Sequence, residues 1–594
     1  MQLFEIFTVL HDLGFNRNLK IIIYILFIFN SLNLFSQNKY KLNIYENDSL
    51  KKNKLILKKN ISDSSAFTDI TNNYIEYLNS KGYLTAKIDS FNFSIPNYNI
   101  YISKNSLYKW GFITVDTLYY FDFQKIGIKN SYFDNKTIYY KKYLKTLKKI
   151  VTYYENNGYP FANVTLKNLK INNNKFNADL YINKQQLIKL DSINIIGNTK
   201  TSKKYLQSYL GLKKGKIYNE EIISSIDYKI RKLIFLNSLK IAEISFRENY
   251  ADVNLFLNSK KANQFNGILG ILPNDKTSGK LLITGELSLY LINSFNHGEK
   301  IALEWHKTNT LTQDIKAKAD YKYILSLPIG VDEDFKLYKK DTSYITINNK
   351  TGLQLLLNGG NYIKLFYENK NSYVIKNKNF ITQSDNLSNY TISMGGSGIF
   401  YEKLDYIYNP RKGIVIDFNV SAGQRKFKLL SSDIQSDYET TGKVESNIDI
   451  SYYIKLAQNS VIKIRNNSAL MYNYTNNDFN NIFYENELMK IGGLKTLRGF
   501  DEESINTSNF SIFSLELRYL FETNSAIYAF ADGGYYEKNT PIEYLKDYPF
   551  GFGAGIDFET KAGIFTINYA LGKQFSNPID FRASKIHFGI INRF

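Results

Sequence analysis

The sequence contains no cysteine among its 594 residues. This absence excludes disulfide bonds, thiolate metal sites, a catalytic cysteine and the lipidated N-terminal cysteine of a bacterial lipoprotein. Histidine is also scarce, because the chain has four residues scattered without the spacing of metal ligands: His11, His297, His306 and His587. We therefore expect no metal and no other cofactor.

Long apolar runs are missing beyond the N-terminal segment. After residue 36 we find no run of about 18 apolar residues, so we expect no second membrane-spanning helix. Tyr (49 residues) and Phe (41 residues) are nevertheless abundant, although the mean hydropathy is −0.32. Many aromatic residues without a long apolar run favour alternating β-structure.

The net charge of +20 does not indicate a nucleic-acid partner. Lysines cluster at 51–59, 141–149 and 213–216, but Lys and Asn are enriched along the whole chain. No stretch concentrates arginine with aromatic residues as a nucleic-acid groove would. We therefore interpret the charge as a general compositional bias and expect no nucleic acid to bind.

Three short motifs resemble enzyme signatures but lack their key features. The glycine-rich stretch 551–555 lies on an alternating strand with no helix after it. This favours small residues on the inner face of the predicted barrel described below over a dinucleotide loop. The stretch 211–217 lacks both the spacing and the Ser/Thr of a P-loop. Ser397 lacks the last glycine of a nucleophile elbow. We predict that the protein is not an enzyme.

The N-terminus has the pattern of a signal peptide. Arg17 and Lys20 precede fifteen apolar residues, 21–35, and the small residue Ser36 provides a plausible cleavage point. We predict a signal peptide over 1–36 and export. A short N-terminal membrane anchor is the alternative.

A repeated motif divides the next 224 residues. The segments 82–88 and 158–164 share the pattern G-Y-x-x-A-x-[IV], and the two alanines are 76 residues apart (162 − 86). A third, weaker copy follows around Ala242. This spacing predicts three modules, 37–108, 109–186 and 187–260. The motif residues are Gly82, Tyr83, Ala86, Gly158, Tyr159 and Ala162.

The third module shows the internal plan most clearly. A strand around Ile193 is followed by a helix from Ser202 to Gly211 and a second helix that opens at Asn219. Two strands follow, giving the order β-α-α-β-β. The second module repeats this order with a helix over 136–156, whereas the first module has no obvious opening strand.

From about Ala262 the sequence alternates apolar and polar residues in runs of roughly ten. Strands of about 9–11 residues with one apolar face are typical of transmembrane barrels, which have an even strand number. We predict a 16-stranded transmembrane antiparallel β-barrel over 261–594; an array of soluble β-sandwiches is the alternative. The candidate strands are 264–272, 280–290, 299–308, 314–324, 341–348, 352–358, 361–368, 390–400, 412–422, 446–456, 459–470, 509–520, 524–534, 550–559, 562–572 and 585–594.

The stretch 489–534 predicts a loop that is held against the face of the β-strands that follow it. A glycine-rich turn leads to an arginine, and two alternating strands follow, the second ending in an F-x-D-x-G pattern. An arginine between flexible residues, followed by a carboxylate on a strand, is suited to a bidentate ion pair. The loop residues are Gly492, Gly493, Leu497, Arg498, Gly499 and Phe500, and the strand residues are Glu516, Phe530, Asp532 and Gly534.

With these motifs the chain resembles the BamA/TamA family of outer-membrane assembly factors. GGLKTLRGF (492–500) and FADGG (530–534) are similar to the family's lumenal-loop and F-x-D-x-G motifs, and GYPFANV resembles its POTRA pattern. The last strand, with Gly589 and Phe594, resembles the family's C-terminal signal. It departs at Asn592, where the family favours an apolar residue.

The resemblance implies POTRA modules in the periplasm and a barrel in the outer membrane of a Gram-negative-type bacterium. Arg498 would pair with Asp532 inside the lumen, with Glu516 as an alternative or additional partner. The function implied is insertion or translocation of outer-membrane proteins. The partners would be unfolded client proteins, outer-membrane lipids and accessory assembly subunits. A dedicated secretion pore of the two-partner type and a passive porin-like channel are the alternatives.

Overall fold

The computed structural model describes most of the chain after residue 39. The described residues are 40–48, 51–61, 65–94, 96–129, 133–273, 281–307, 312–375, 386–428, 438–474, 481–560, 563–575 and 577–591. They form two compact units. The described residues up to Ile188 form one, together with Ile217–Glu220, and those of Lys189–Lys216 and from Glu221 onward form the other. The predicted signal peptide and the terminal Phe594 lie outside the described residues.

The first unit contains two small α/β modules. Their strands are β1 (Tyr40–Asp48), β2 (Lys51–Ile61), β3 (Lys87–Ser94), β4 (Asn97–Ser103), β5 (Lys109–Val115), β6 (Asn163–Asn172) and β7 (Lys175–Asn183). Their helices are α1 (Ser65–Ser80), α2 (Tyr120–Lys125) and α3 (Tyr140–Glu155), with a 3₁₀ helix over Thr117–Tyr119.

The N-terminal module differs from the two-helix plan. Its sheet has the order β2-β1-β4-β3, and α1 is the single helix among its described residues. The lysine-rich segment 51–61 forms β2, a strand antiparallel to β1 with Leu57 opposite Ile44. Leu57 packs on the core of Leu42, Ile44 and Ile100. The contact of Leu57 with that core and the pairing with β1 favour a strand here in place of a first helix.

The second module has the predicted β-α-α-β-β order. Its sheet has the order β5-β7-β6, with β5 parallel to β7 and β6 antiparallel to β7. Asn173 and Asn174 turn between β6 and β7 with positive φ angles of 48° and 59°, which asparagine tolerates. Helix α3 buries Ile150 and Tyr154 against this sheet.

The repeated glycine ends a helix in the same way in both modules. Gly82 and Gly158 adopt φ angles of +98° and +97°, and the N–H of the next tyrosine bonds back to the helix in each case. The carbonyl of Gly82 accepts from Tyr108 N–H, and that of Gly158 accepts from Ile188 N–H. Left-handed backbone at a helix end favours glycine, so the repeat marks a structural junction.

Each motif tyrosine also lies beneath a lysine. Lys104 Nζ is 5.4 Å from the Tyr83 ring centre and pairs with Glu46. Lys184 Nζ is 5.8 Å from the Tyr159 ring centre and 3.2 Å from an Asp122 oxygen. Both lysines directly follow the last strand of their module. This correspondence is a further internal repeat that the sequence pattern alone did not reveal.

The second unit begins with the third module. Its strands are β8 (Lys189–Ile196), β9 (Leu236–Ser238), β10 (Glu243–Arg247) and β11 (Tyr250–Ser259), and its helices are α4 (Lys203–Leu210), α5 (Glu220–Ser224) and α6 (Ile226–Arg231). As predicted, Ser202 caps α4 and Gly211 ends it with φ +81°. The predicted second helix is divided into α5 and α6.

The third module packs on turns of the following sheet. The Tyr205 ring lies 5.8 Å from that of Tyr323, and the Ser208 hydroxyl donates to the Ser326 carbonyl at 3.1 Å. Lys232 Nζ lies 3.0 Å from a Glu402 oxygen. These aromatic and polar contacts fix the module against the sheet.

Of the nineteen remaining described strands, all but the two short strands β23 and β24 form one antiparallel sheet. Its 17 strands are hydrogen-bonded to one another in sequence order. The short strand β27 lies between β26 and β28, which also pair directly with each other. Sixteen longer strands remain, in agreement with the predicted barrel. They and the short strands are β12 (Gln264–Pro273), β13 (Leu281–Ile292), β14 (Lys300–Lys307), β15 (Gln313–Tyr321), β16 (Ile329–Lys340), β17 (Tyr344–Leu356), β18 (Tyr362–Val374), β19 (Tyr390–Leu404), β20 (Gly413–Lys428), β21 (Tyr438–Lys455), β22 (Ser460–Tyr474), β23 (Met489–Ile491), β24 (Ile505–Thr507), β25 (Asn509–Leu520), β26 (Ala526–Asn539), β27 (Tyr544–Asp547), β28 (Phe550–Thr560), β29 (Gly563–Lys573) and β30 (Lys585–Ile591).

Two errors in the predicted strands leave the total number of strands unchanged. The predicted strands 341–348 and 352–358 form the single strand β17, whereas β16 was missed. The prediction leaves residues 349–351 between two strands, but they lie within β17. The Asp332 side chain lies 2.5 Å from where a Cβ of Gly352 would stand, which accounts for a glycine inside this strand. The acidic Val-Asp-Glu-Asp stretch concealed β16. The strand number was right and these two boundaries were wrong.

Strand β25 shows how the barrel wall is divided. Phe513, Leu515 and Leu517 are 53–59% exposed, while Glu516 and Arg518 between them are buried. Apolar side chains therefore face outward and charged ones inward, as the alternation predicted. Among the described residues no helix is both long and apolar enough to cross a membrane.

Candidate functional site

Residues 481–508 between β22 and β25 fold against the inner face of the barrel; we call them the lumenal loop. A short hairpin, β23 with β24, forms within this loop. Buried Ile491, Leu497 and Ile505 pack against Ile512 and Tyr536 of the wall. The apolar residues of the loop thus form a small core of their own inside the barrel.

Arg498 binds both of the carboxylates that were predicted for it. Its Nε and Nη2 donate to the two oxygens of Asp532 at 2.7 and 2.6 Å, and its backbone N–H donates to the same carboxylate at 3.1 Å. Its Nη1 donates to Glu516 at 2.9 Å. The Arg498 side chain is 8% exposed and that of Asp532 is fully buried. This is a bidentate, desolvated ion pair with a second acceptor.

The charged cluster extends along the wall beyond the predicted residues. Glu516 also accepts from Arg518 at 2.8 Å and from Lys463 at 3.2 Å. Arg518 in turn donates to Asp557 at 2.6 Å. The alternation of β25 puts Arg518 on the same face as Glu516, but the sequence does not assign it to the site. This is because its contact with Asp557 on β28, like that of Glu516 with Lys463 on β22, depends on strand register.

Arg498 also contacts the aromatic ring of Phe530. Its guanidinium carbon lies 3.7 Å from the ring centre, so the phenylalanine of the F-x-D-x-G motif stacks on the cation. Asp532, two residues further on, presents its carboxylate on the same face of β26. Gly534 completes the motif and lies close to the Ser511 carbonyl on β25.

Close backbone approach explains the glycines on both sides of the contact. Gly499 adopts φ +95°, and a Cβ there would stand 2.7 Å from the Leu571 carbonyl on β29. A Cβ at Gly551 on β28 would overlap the Arg498 carbonyl. Gly551 therefore forms part of the wall that the loop contacts, and the stretch 551–555 lies on a strand as predicted.

The loop also contacts the last described strand. Gly499 N–H donates to Nε2 of His587 on β30 at 3.2 Å. Leu494 packs so closely on Gly589 that a Cβ there would overlap it. His587 was read from the sequence as one of four scattered histidines, and no local signal connects it to Gly499.

The structure thus brings Leu497, Arg498, Gly499, Glu516, Phe530 and Asp532 into one cluster. Gly492 and Gly493 form the turn directly after β23, with φ +112° and +90°, and Phe500 packs beside the cluster. The glycine-tyrosine motif residues lie in the first unit. That these residues form functional sites stays a prediction. Among the described residues no group of His, Asp and Glu could hold a metal ion.

The fold and this loop define a class of protein: a β-barrel of sixteen long strands with POTRA-like modules before it and an arginine-bearing loop inside it. Residues 313–594 match the Omp85 superfamily domain, and residues 188–255 match the POTRA repeat described as the surface antigen variable number repeat. The barrel of this chain belongs to the Omp85 superfamily.

This membership places the barrel in the outer membrane and the POTRA modules in the periplasm. Members of the superfamily are assembly or transport proteins that handle client proteins, and they are not enzymes. The resemblance stated from the motifs is thereby confirmed at the level of the superfamily.

Solved structures of similar fold include BamA from Haemophilus ducreyi lacking POTRA domains 1–3, with 16% identity, a TM-score of 0.41 and coverage of 81% of this chain and 98% of that one. CdiB from Acinetobacter baumannii has 15% identity, a TM-score of 0.46 and coverage of 86% and 94%. CdiB from Escherichia coli has 13% identity, a TM-score of 0.49 and coverage of 88% and 97%. No curated protein matches the chain.

Proposed function

We propose that the protein inserts unfolded outer-membrane proteins into the membrane, with its POTRA modules receiving them and its barrel templating their strands. The observation that carries this proposal is the placement of the lumenal loop. Arg498 holds it to β25 and β26, and Gly499 holds it to His587 on β30. The loop thus supports the C-terminal side of the barrel up to its last strand.

The opposite side of the sheet is less supported. Strand β12 pairs with β13, and among the described residues no ladder joins β12 to β30. Gly267 and Gly270 lie within β12, and glycines weaken a paired strand. A seam with one supported and one weak edge is suited to accept a client strand by edge pairing.

The modules offer edges for the same kind of pairing. Strand β6 lies at one edge of its sheet, and most of its side chains are exposed. An extended client segment would add beside such an edge through backbone hydrogen bonds, which do not depend on its sequence. The client chemistry we propose is therefore an unfolded β-strand, with outer-membrane lipids around the barrel and accessory subunits as further partners.

The test compares insertion with barrel formation. Wild type, Arg498→Ala and Asp532→Ala are refolded in liposomes, and insertion of a test barrel protein is measured beside heat-modifiable gel mobility. We expect both variants to form barrels and to lose insertion together. The matched control is Arg582→Ala, an exposed arginine whose side chain has no contact with the loop cluster; it should insert normally.

A dedicated secretion pore of the two-partner type is the second candidate. The same loop that supports β30 also occupies the inside of the barrel, so its displacement would open a path for one partner. If wild type inserts no test barrel but passes an exported partner, this candidate replaces the first. A passive porin does not account for the POTRA repeat over 188–255.

A further inference from the structure

The lumenal loop carries a second buried charge, eleven residues before Arg498. The Glu487 side chain is fully buried, as is that of Lys443, and Arg425 is 3% exposed. Arg425 Nε lies 3.0 and 2.9 Å from the two Glu487 oxygens, and Lys443 Nζ lies 3.3 Å from one of them. Arg425 belongs to β20 and Lys443 to β21, so a carboxylate of the loop meets two cations of the wall.

The contacts around Glu487 hold the same stretch of loop. The Arg425 guanidinium carbon lies 4.0 Å from the Phe427 ring centre and 5.6 Å from that of Tyr484 in the loop. The Asn486 carbonyl accepts from the Tyr390 hydroxyl at 2.8 Å. The Asn486 side chain donates to the Ser372 hydroxyl at 2.8 Å and to the Ser388 carbonyl at 2.7 Å. Residues 484–487 are therefore bonded to β18, β19, β20 and β21.

The loop is anchored at two points, which we call its two ends, Glu487 and Arg498. They carry opposite charges and bind different strands of the barrel wall. At Glu487 a loop anion meets wall cations on β20 and β21, whereas at Arg498 a loop cation meets wall carboxylates on β25 and β26. A buried charge that loses its partner is strongly unfavourable. Each end therefore resists release by itself, through residues that the other end does not share.

We propose that Glu487 is a second positioning residue of the lumenal loop. With Arg425 and Lys443 it holds residues 481–491 against β18–β21, independently of the Arg498 contacts. The loop stays across the lumen while either end holds, and it leaves the lumen when both are released. This inference applies whether the client is inserted or secreted, because it concerns the loop and not the client.

The absence of cysteine allows a direct test in the full chain. Single cysteines placed by Leu488→Cys and Leu497→Cys, both at buried positions, report on the two ends through maleimide labelling of the refolded barrel. Rates are compared within each cysteine background. We expect Glu487→Gln to raise labelling at position 488 about tenfold or more and to change it less than about twofold at position 497.

Three variants separate anchoring from general disruption. Glu503→Gln, in the same loop, is the matched control, because that carboxylate is exposed and lies 4.0 Å from its lysine; it should leave both rates unchanged. Glu487→Arg should accelerate labelling at 488 by repulsion from Arg425. The charge exchange R425E/E487R should restore slow labelling. Heat-modifiable gel mobility confirms that each variant forms a barrel.

Ionic conductance in planar bilayers tests whether both ends matter, and it requires no client. We expect Glu487→Gln and Arg498→Ala each to conduct little more than wild type, and the double variant to conduct several-fold more. The proposal is wrong if Glu487→Gln leaves labelling at 488 unchanged. It is also wrong if the double variant conducts no more than Arg498→Ala. Failure of the wild type to insert a test barrel protein would overturn the proposed function, whereas the labelling and conductance results decide this inference.

Discussion

The backbone N–H of Gly499 donates a hydrogen bond to Nε2 of His587, although 88 residues separate the two in sequence. This bond joins the arginine motif of the lumenal loop to the last described strand of the barrel. Arg498, which forms the ion pair with Asp532, directly precedes Gly499 in the sequence. Two adjacent residues of the loop therefore hold the ion pair and the last described strand. Variants of this peptide should therefore affect the strand edge as well as the loop.

Gly499→Ala should displace the loop without preventing barrel formation. The residue combines φ +95° with close contact to the Leu571 carbonyl, so a methyl group is both strained and obstructed. We expect insertion of a test barrel protein to fall at least tenfold. Gly360→Ala is the control, because Gly360 has φ +88° but nothing within 4 Å of its Cβ position. Equal insertion by the two variants would show that the contact with β29 does not matter.

Removing one partner of the Arg498 pair should cost stability, whereas removing both should not. Asp532→Asn removes one of the three oxygens that accept from the buried guanidinium, together with the negative charge of Asp532, and we expect the barrel to lose about 3–5 kcal/mol of unfolding free energy. The apolar replacement R498M/D532L should recover most of that loss but no insertion. Urea titration followed by gel mobility measures the first effect and the liposome assay the second.

The exposed pair of Asp501 with Lys585 is the control for this experiment, since the Asp501 side chain is 69% exposed. Asp501→Asn should change the unfolding free energy by about 0–1 kcal/mol. If Asp532→Asn is equally mild, the lumen is hydrated and the pair is not desolvated as the burial indicates.

The second module should lose stability in acid through Asp122. Burial alone would raise the pKa of this carboxyl, but bonds from Tyr154, Lys184 and Tyr153 outweigh it and hold the pKa below its ordinary value. A lowered carboxyl pKa stabilises the fold above the unfolded pKa of about 4, and this stability is lost as pH falls through the folded pKa. Asp122→Asn should therefore weaken the module at neutral pH by about 1–2 kcal/mol and approach wild type below about pH 4.

Trp110 provides the measurement for that prediction. It packs in the second module, 5.6 Å from Phe133, and the chain has one other tryptophan, Trp305. In a Trp305→Phe background, urea unfolding followed by fluorescence reports on this module. A pH profile of Asp122→Asn parallel to that of wild type would assign the acid sensitivity to other groups.

Gly158→Ala should destabilise the second module by about 1–3 kcal/mol. Its φ of +97° disfavours alanine, and a Cβ would stand 2.5 Å from Leu187 and 2.6 Å from Ile217. Gly127→Ala is the control in the same module, with φ +68° but its nearest neighbour at 3.9 Å. The same tryptophan signal measures both, and equal losses would mean that backbone strain alone explains the motif glycine.

Much of this fold could be predicted from local sequence patterns. Alternation placed Glu516 and Arg518 inward and the aromatic residues outward, and the caps Ser202 and Gly211 bounded a helix correctly. Arg498 could be paired with Asp532 because both belong to recognisable motifs. These features depend on residues close in sequence or on a resemblance, which a single sequence can reveal.

Other features depended on contacts that no spacing reveals. Glu487 and Arg425 are 62 residues apart, and only the register of β20 beside the loop brings them together. The N-terminal hairpin depends on Leu57 reaching the core of its module. Strand β16 was hidden by acidic residues, of which Asp332 and Asp334 lie 3.6 and 2.9 Å from lysines on β18 and β15. In a barrel with a polar interior, charge does not mark a surface loop.

The anchors of the lumenal loop also constrain the order in which this chain can assemble itself. Glu487 binds strands that precede the loop, whereas Arg498 and Gly499 bind strands that follow it, as far as β30. Contacts between distant parts of a chain form after local ones. Arg498 can therefore dock only after β25 and β26 have been synthesised, and Gly499 only after β30, so we expect the second anchor of the loop to form late in the maturation of the barrel.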